Sequence, residues 1–349
     1  MHLLRNYGVR KLISATGGNS FFAARYGFVC DNVENFEVVL ASGRIVDANN
    51  QTNSDLWQAL KGASNNFGIV TRIDLTAFPS GDIWGGVVLY PASTIPAQID
   101  AFVKFNDNIE KDPYASLITF WAYTSAHNTT VVENAYEYTK SVANASIFSD
   151  LLAIKPEIPN TNTLRIANLT SLTTELEAAS NLRDLFATLS FANDADLIAE
   201  VYKISTQLLE PVKTAKGLTW ITMFQPIPSI ITTHSEERGG NVMGLNRAKG
   251  NQVLFLFFVQ WDDAADDEAL QSAASTYMQK VTQLTKQEGK SNEWIYLNYA
   301  LQDQDPLGSY GQANLDKIEA AAKAYDPSGV FQKLVPGGFK IANAKPDGP

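Results

Sequence analysis

Few stretches of this chain hold residues in arrangements that chemistry requires. In "WIYLNYA", Trp294 to Ala300, two tyrosines flank an asparagine, and a phenol takes up or returns a proton when its surroundings favour the anion. Read as a strand, the segment places Tyr296 and Asn298 on one face and Tyr299 on the other. A satisfied core tyrosine would leave the same pattern. Gly17 and Gly18, which open "GGNSFFAARYGFVCDNV", lack the spacing of a dinucleotide fingerprint or a phosphate-binding loop, and as a pair they read more readily as a turn than as a site. "KGASNNFGIVT" is open in the same way, because Gly62, Asn65, Asn66 and Gly68 suit a tight connection or a loop whose N–H groups meet an anion. The acidic run "DDAADDE", Asp262 to Glu268, suits the first turn of the helix that follows, where the macrodipole favours carboxylates, better than it suits a metal.

Other chemistries are disfavoured by composition. The three histidines, His2, His127 and His234, are far apart and Cys30 is the single cysteine, so a Cys/His metal site and an internal disulfide are both excluded. The 27 Lys and Arg are outnumbered by 37 Asp and Glu, giving a net charge of -10, which disfavours nucleic acid and anionic membrane surfaces as partners. No apolar run has the length of a signal peptide or a membrane span. As written, the chain is expected to be cytoplasmic.

The 349 residues, 45% of them hydrophobic, suffice for two domains or one large lobed domain. "FEVVLASGRIVDA" alternates and turns at Ser42-Gly43, a hairpin. "NSDLWQALKG" reads as a short helix with Asn53 or Ser54 as its cap and Gly62 as its stop. Ile69 to Leu75 alternates as a strand. Beyond Pro79 the elements lengthen: strands at "IWGGVVLY", "SLITFWAYT", "LTWITMF" and "QVLFLFFVQW", with helices over 94–110, 171–187, 195–209 and 266–287. Without regular βαβ alternation, this pattern predicts an α+β fold, one antiparallel sheet covered by helices on one face. A further helix is expected over 312–324. No internal repeat is visible.

Taken in order, "GGNSFFAARYGFVCDNV", "LASGRIVDAN", "DLWQALKGASNNFGIVT", "YLNYA", "SYGQANLDKI" and "YDPSGVF" resemble FAD-linked oxidases of the vanillyl-alcohol oxidase and p-cresol methylhydroxylase superfamily. Within it the chain is most similar to the berberine bridge enzyme and 6-hydroxynicotine oxidase group, especially its fungal members. The resemblance runs from Gly17 to about Gly338. It implies part of an FAD-binding lobe over 1–82, a substrate lobe over 83–289 and a C-terminal return to the FAD lobe over 290–349. Gly17 and Gly18 would end a loop that approaches the flavin, with Tyr26, Gly27, Asp31 and Asn32 in the segment beneath it. Phe67, Gly68, Ile69 and Val70 would line the adenine and diphosphate end, Asn314 would reach the isoalloxazine ring, and Tyr299 would be a phenolate-like catalytic base. The implied reaction passes hydride from a small secondary metabolite to flavin N5, and molecular oxygen reoxidises the flavin.

The resemblance also implies a chain that is short at its front. Family members carry a lobe before the segment matching Gly17, with a phosphate-binding loop, a histidine that often bonds the flavin and, in some, a second linking cysteine. Neither His2 nor Cys30 matches those positions, and "LLRNYGV" is the one earlier stretch with a faint counterpart. FAD binding is therefore expected to be impaired. A non-catalytic remnant or misread gene model, and an α+β ligand-binding protein without redox chemistry, are the alternatives.

Overall fold

The computed structural model describes residues 16–176 and 182–346; His2 and "LLRNYGV" lie outside them. Glycine and alternation dictate the first unit. After α1 (Ala23–Tyr26), the strands β1 (Val33–Val39) and β2 (Ile45–Asn49) form the expected hairpin, turned by Gly43 at φ +82°. Helix α2 (Ser54–Leu60) follows, and β3 (Ile69–Leu75) returns along β1, giving a sheet in the order β2-β1-β3. Asn53 sits at the start of α2 in the left-handed region and its side chain does not cap the helix; it bonds the carbonyl of Asp47 instead, at 2.7 Å.

A second sheet holds, among the described residues, eight strands, all paired antiparallel. In chain order these and their helices are β4 (Ile83–Pro91), α3 (Ile95–Asn108), β5 (Ala115–Thr124), β6 (Thr129–Tyr138), α4 (Ser149–Leu152), β7 (Arg165–Ala167) and α5 (Leu169–Thr173). Then come β8 (Arg183–Ala192), α6 (Ala195–Leu209), β9 (Thr219–Ile227), α7 (Ile230–Glu237), β10 (Gln252–Trp261), α8 (Asp267–Gln287) and β11 (Ser291–Asn292). Helices α9 (Gln312–Tyr325) and α10 (Val330–Lys333) close the chain.

The strand order β11-β8-β10-β9-β5-β6-β4-β7 contains one arrangement twice, since β4-α3-β5-β6 and β8-α6-β9-β10 meet at the β5–β9 pair. This repetition is topological, and no repeat in residue identity announces it. Alternate residues of each strand face opposite ways. Phe224, 1% exposed, meets Trp121, Phe255 and Phe102 beneath α3, α6 and α8. Met223, Leu254, Leu256 and Phe258 face the other way, towards the first sheet, α2 and α9. Because β10 is covered on both faces, every one of its residues is buried, which explains its unbroken apolar run.

Two expectations from sequence are overturned. No helix spans 171–187: α5 ends at Thr173, a 3₁₀ turn covers Thr174–Leu176, and Arg183–Ala192 is a strand paired with β10 along its whole length. Helix-forming composition yields there to cross-strand pairing. "WIYLNYA" is likewise not a strand, because Leu297–Tyr299 is a 3₁₀ turn. The acidic run behaves as expected: Asp263 caps a turn through Ala265 N, and Asp267 opens α8, paired with Arg183 and bonded by Trp261.

The two sheets are joined through the segment after Gly17. Asp31, 3% exposed, accepts from Phe28 N at 2.8 Å, from Ser235 Oγ on α7 at 2.5 Å and from Asn241 Nδ2 at 2.9 Å. Asn32 donates to the carbonyls of Tyr26 and Phe28 and accepts from Arg238 at 2.8 Å. Lys61 lies buried in the same seam, donating to Arg238 O at 3.1 Å with its ammonium over the Trp57 ring. Burial pushes its pKa down to about 8, against the pull of Cys30 and Asp31. The unfolded chain holds that proton to about pH 10.4, so folding is penalised below pH 8 and relieved as pH rises. Relative to Lys61→Met, the wild type should therefore gain up to about 3 kcal/mol between pH 8 and 10.5. Denaturant unfolding across that range measures it, and parallel curves for the two proteins would refute the assignment.

Candidate active site

Gly17 and Gly18 take φ values of +102° and +85°, conformations that side chains with a Cβ resist. Their carbonyls accept from Cys30 N and Val29 N, both at 2.8 Å, which folds the loop back on the segment behind it. A Cβ on Gly17 would lie 2.7 Å from the Met243 sulfur and 3.3 Å from the Tyr296 ring, so only glycine permits this approach. Next to it, Thr16 Oγ1 donates to Asn298 Oδ1, Asn298 Nδ2 returns a bond to Thr16 O, and Asn19 N donates to Tyr296 Oη at 2.8 Å. The turn at Leu297–Tyr299 makes this possible, since it places Tyr296 and Tyr299 edge to face with their centroids 4.9 Å apart.

Tyr299 reaches across to the large sheet. Gln225 Nε2 on β9 donates to Tyr299 Oη at 3.0 Å, and Gln225 Oε1 accepts from Asn19 Nδ2 at 3.1 Å. These three side chains form one end of a cavity of about 260 Å³ whose walls include Phe22, Phe78, Ile118 and Ile231. Burial raises the Tyr299 phenol, opposed by the Gln225 hydrogen bond. That direction is opposite to the lowered pKa that a phenolate-like base at Tyr299 would need.

The other expected site residues divide into two sets. Asn314 Nδ2 bonds Tyr310 O at 3.0 Å and lies 3.1 Å from where a Cβ on Gly244 would be, and Tyr310, buried in the same core as Tyr299, reaches Gly62 O through its hydroxyl. Tyr26 stacks at 4.3 Å on Phe78, a residue of the cavity wall, and takes a hydrogen bond from Arg25. Gly27 at φ +77° leaves room for the Asp31 carboxylate, 2.7 Å from a would-be Cβ. Asp31 and Asn32 spend their bonds on the seam already described. Phe67 is fully buried in the core shared with Tyr299, whereas Gly68, Ile69 and Val70 run along β1, with Ile69 60% exposed. Cys30 is buried and its thiol is pushed up by burial, so it carries no reactive thiolate.

Sequence reasoning left out Asn19 and Gln225. Gln225 carries a readable signal, an amide in the otherwise largely apolar strand "TWITMFQPI", but which face meets the cavity depends on strand pairing. Among the described residues no group of three His, Cys, Asp or Glu is placed to hold a metal, and no helix is long and apolar enough to cross a membrane.

No family model matches the chain. Curated relatives do. The FAD-dependent monooxygenase sdcF of Emericella nidulans is 40% identical over 335 residues, covering 94% of this chain and 69% of the relative. The FAD-dependent monooxygenase drtC of Aspergillus calidoustus is 38% identical over 93% of this chain, which spans 62% of that protein's length. The FAD-dependent monooxygenase elcE of Phaeosphaeria nodorum is 33% identical and is matched over 99% of its length. Among solved structures, 6-hydroxy-D-nicotine oxidase from Arthrobacter nicotinovorans shares 17% identity at a TM-score of 0.70 over 92% of this chain and 69% of its own. Berberine bridge enzyme from Eschscholzia californica shares 13% at a TM-score of 0.70, over 95% of this chain and 69% of its own. The glycine loop, the Tyr299 turn and the large antiparallel sheet thus occur in a chain that belongs to the fungal FAD-dependent monooxygenase family and has the α+β fold of the berberine bridge and 6-hydroxynicotine oxidases.

Proposed function

We propose that the protein is an FAD-linked oxidoreductase of small oxygen-bearing molecules, with the flavin along the Gly17-Gly18 loop and the substrate in the cavity beside Tyr299. The Asn19–Gln225–Tyr299 triad carries this reading, because it fixes a phenol at a cavity wall next to a backbone that only glycine can supply. A second observation fits a flavin ring: Trp294 Nε1, buried between Phe28 and Tyr296, has no acceptor among the described residues. A ring carbonyl would satisfy it. FAD, when bound, supplies the hydride acceptor, which molecular oxygen restores. Residues 1–82 and 290–349 would hold the cofactor, with Asn314 at its ring and Phe67 to Val70 towards its diphosphate end, and 83–289 would roof the substrate.

The chain's own part is proton handling and exclusion of water. Once ionised, Tyr299 Oη would receive the proton of a substrate O–H or N–H and return to the neutral phenol, and the amide hydrogen bond from Gln225 Nε2 lowers the cost of the phenolate that precedes this transfer. Apolar walls keep that exchange dry.

Titrating FAD into the purified chain, followed by quenching of flavin fluorescence, should saturate, and Gly17→Val should weaken binding tenfold or more. Equal binding by both, or none by either, would remove the flavin from this loop. With 4-hydroxybenzyl alcohol as probe, anaerobic flavin reduction should quicken with pH above 10, because burial lifts the phenol beyond its ordinary value of 10.0. Tyr299→Phe should erase that rise and slow reduction by about 10² or more. A rise that survives the substitution assigns the proton elsewhere.

A further inference from the structure

Behind one wall of the cavity lies a buried polar group that the reaction at Tyr299 does not use. Ser116 on β5 lines the cavity, and across the ladder its register partner is Glu137 on β6, itself opposite Gly85 on β4. Glu137 is 3% exposed. The Ser116 side chain stands beside its carboxyl and opposes the rise in its pKa, yet Oε2 has no hydrogen-bond partner among the described residues. Gly85 lets β4 and the α5 segment pack closely over Glu137, since a Cβ there would collide with Tyr136 O and sit 3.3 Å from Glu137 Cα and 3.3 Å from Leu172 Cδ1. Leu169 and Thr173, from the same short helix as Leu172, line the cavity with Ser116.

A carboxyl in this place is a poor device for stability. Leaving a buried polar atom unpaired costs about 1–3 kcal/mol, which an apolar residue of similar volume avoids. Several buried amides, hydroxyls and indoles in the chain also lack a partner among the described residues, but Glu137 contributes the carboxyl of that set. Burial, with the Glu175 carboxylate adding to it, pushes the Glu137 carboxyl up to about 8, so at neutral pH it is an acid able both to donate and to accept.

The sheet register fixes what such a group would meet. Ser116 and Gln225 lie on the same face, one strand and two residues apart, about 8 Å by strand geometry, and Phe22, Phe78 and Ile118 lie among the walls. The cavity thus has largely apolar walls with hydrogen-bonding groups at Gln225 and Tyr299 and, separately, at Ser116. We propose that Glu137, with Ser116, is a specificity-determining residue that binds a hydroxyl or carbonyl oxygen of an aromatic substrate at the end remote from Tyr299. The assignment rests on the cavity being the substrate site, as proposed above, and extends that reading to a class of substrate: bicyclic aromatics oxygenated at both ends.

Calorimetric titration of the full chain with 2-naphthol and with 2,6-dihydroxynaphthalene, which carries oxygens at both ends of its fused rings, tests it without requiring flavin. The wild type should bind the diol about tenfold more tightly than the mono-ol, as one additional hydrogen bond in a dry site provides. Glu137→Val should abolish that preference while 2-naphthol affinity moves less than twofold, and Glu137→Gln, which still donates and accepts, should keep most of it. Ser116→Ala should reduce the preference about threefold and stands in for Glu137→Val if thermal melting shows that variant unfolded. An unchanged preference in Glu137→Val or Ser116→Ala, an equal loss for both ligands, or no binding of either, overturns the proposal. FAD binding is scored separately: saturation by FAD with no naphthol contrast sinks this inference alone, and the contrast without FAD binding sinks the redox reading alone.

Discussion

The cavity depends on one buried carboxylate. Burying the Asp31 side chain is costly unless donors surround it, and the donors come from two parts of the chain: Phe28 N from its own loop, Ser235 and Asn241 from beyond β9. The Asp31–Ser235 bond spans 204 residues. That bond seats "GFVCDN" against α7, and the requirement for glycine at position 27 follows, because any side chain there would collide with Asp31. With Asp31 fixed, Val29 and Cys30 can hold the carbonyls of Gly18 and Gly17. The glycine loop is therefore positioned from behind, by charge, and in front by the Tyr296 hydroxyl and Asn298 amide.

The large sheet contributes the opposite wall through its repeated β-α-β-β arrangement. The two copies meet at β5 and β9, and it is from these two central strands that Ser116, Ile118 and Gln225 enter the cavity. A central position has a physical advantage. Both neighbours of each strand are paired, so side chains there are held by two ladders, and a site on such strands is more precise than one on loops. The helix-facing side of the same strands serves a different purpose, with Trp121, Phe224 and Phe255 packed at centroid separations of 4.8 and 5.7 Å.

Much of this architecture was legible in the sequence where period and length agreed. The apolar run of β10, the alternation from Ile69 to Leu75 and the amphipathic stretches of α3, α6 and α8 could be read directly, because local pattern and tertiary environment demand the same residues there. Arg183–Ala192 was not legible, since "DLFATLSFA" suits a helix by composition and becomes a strand only through its ten-residue pairing with β10. "WIYLNYA" alternates like a strand but finds no strand to pair with, and curls so that both tyrosines face one seam. At the candidate site, the ordered motifs drew attention to Gly17 and Tyr299, both of which pack against Tyr296. Gln225, Ser116 and Glu137 were hidden because each lies on a strand whose inward face is decided by partners far away in sequence.

A packing defect and a binding site differ in what holds them open. An apolar hole is shaped only by the stiffness of its walls and tends to collapse, since its lining gains contacts by closing. This cavity has a braced end: Gln225 is held on one side by Asn19 and on the other by Tyr299, so neither the amide nor the phenol can swing inward without breaking a bond of 3.1 or 3.0 Å. Asn19 is in turn anchored through its backbone to Tyr296. The phenol is thus oriented before any ligand arrives, and a molecule entering between Tyr299 and Ser116 meets polar groups whose ordering cost has already been met in folding.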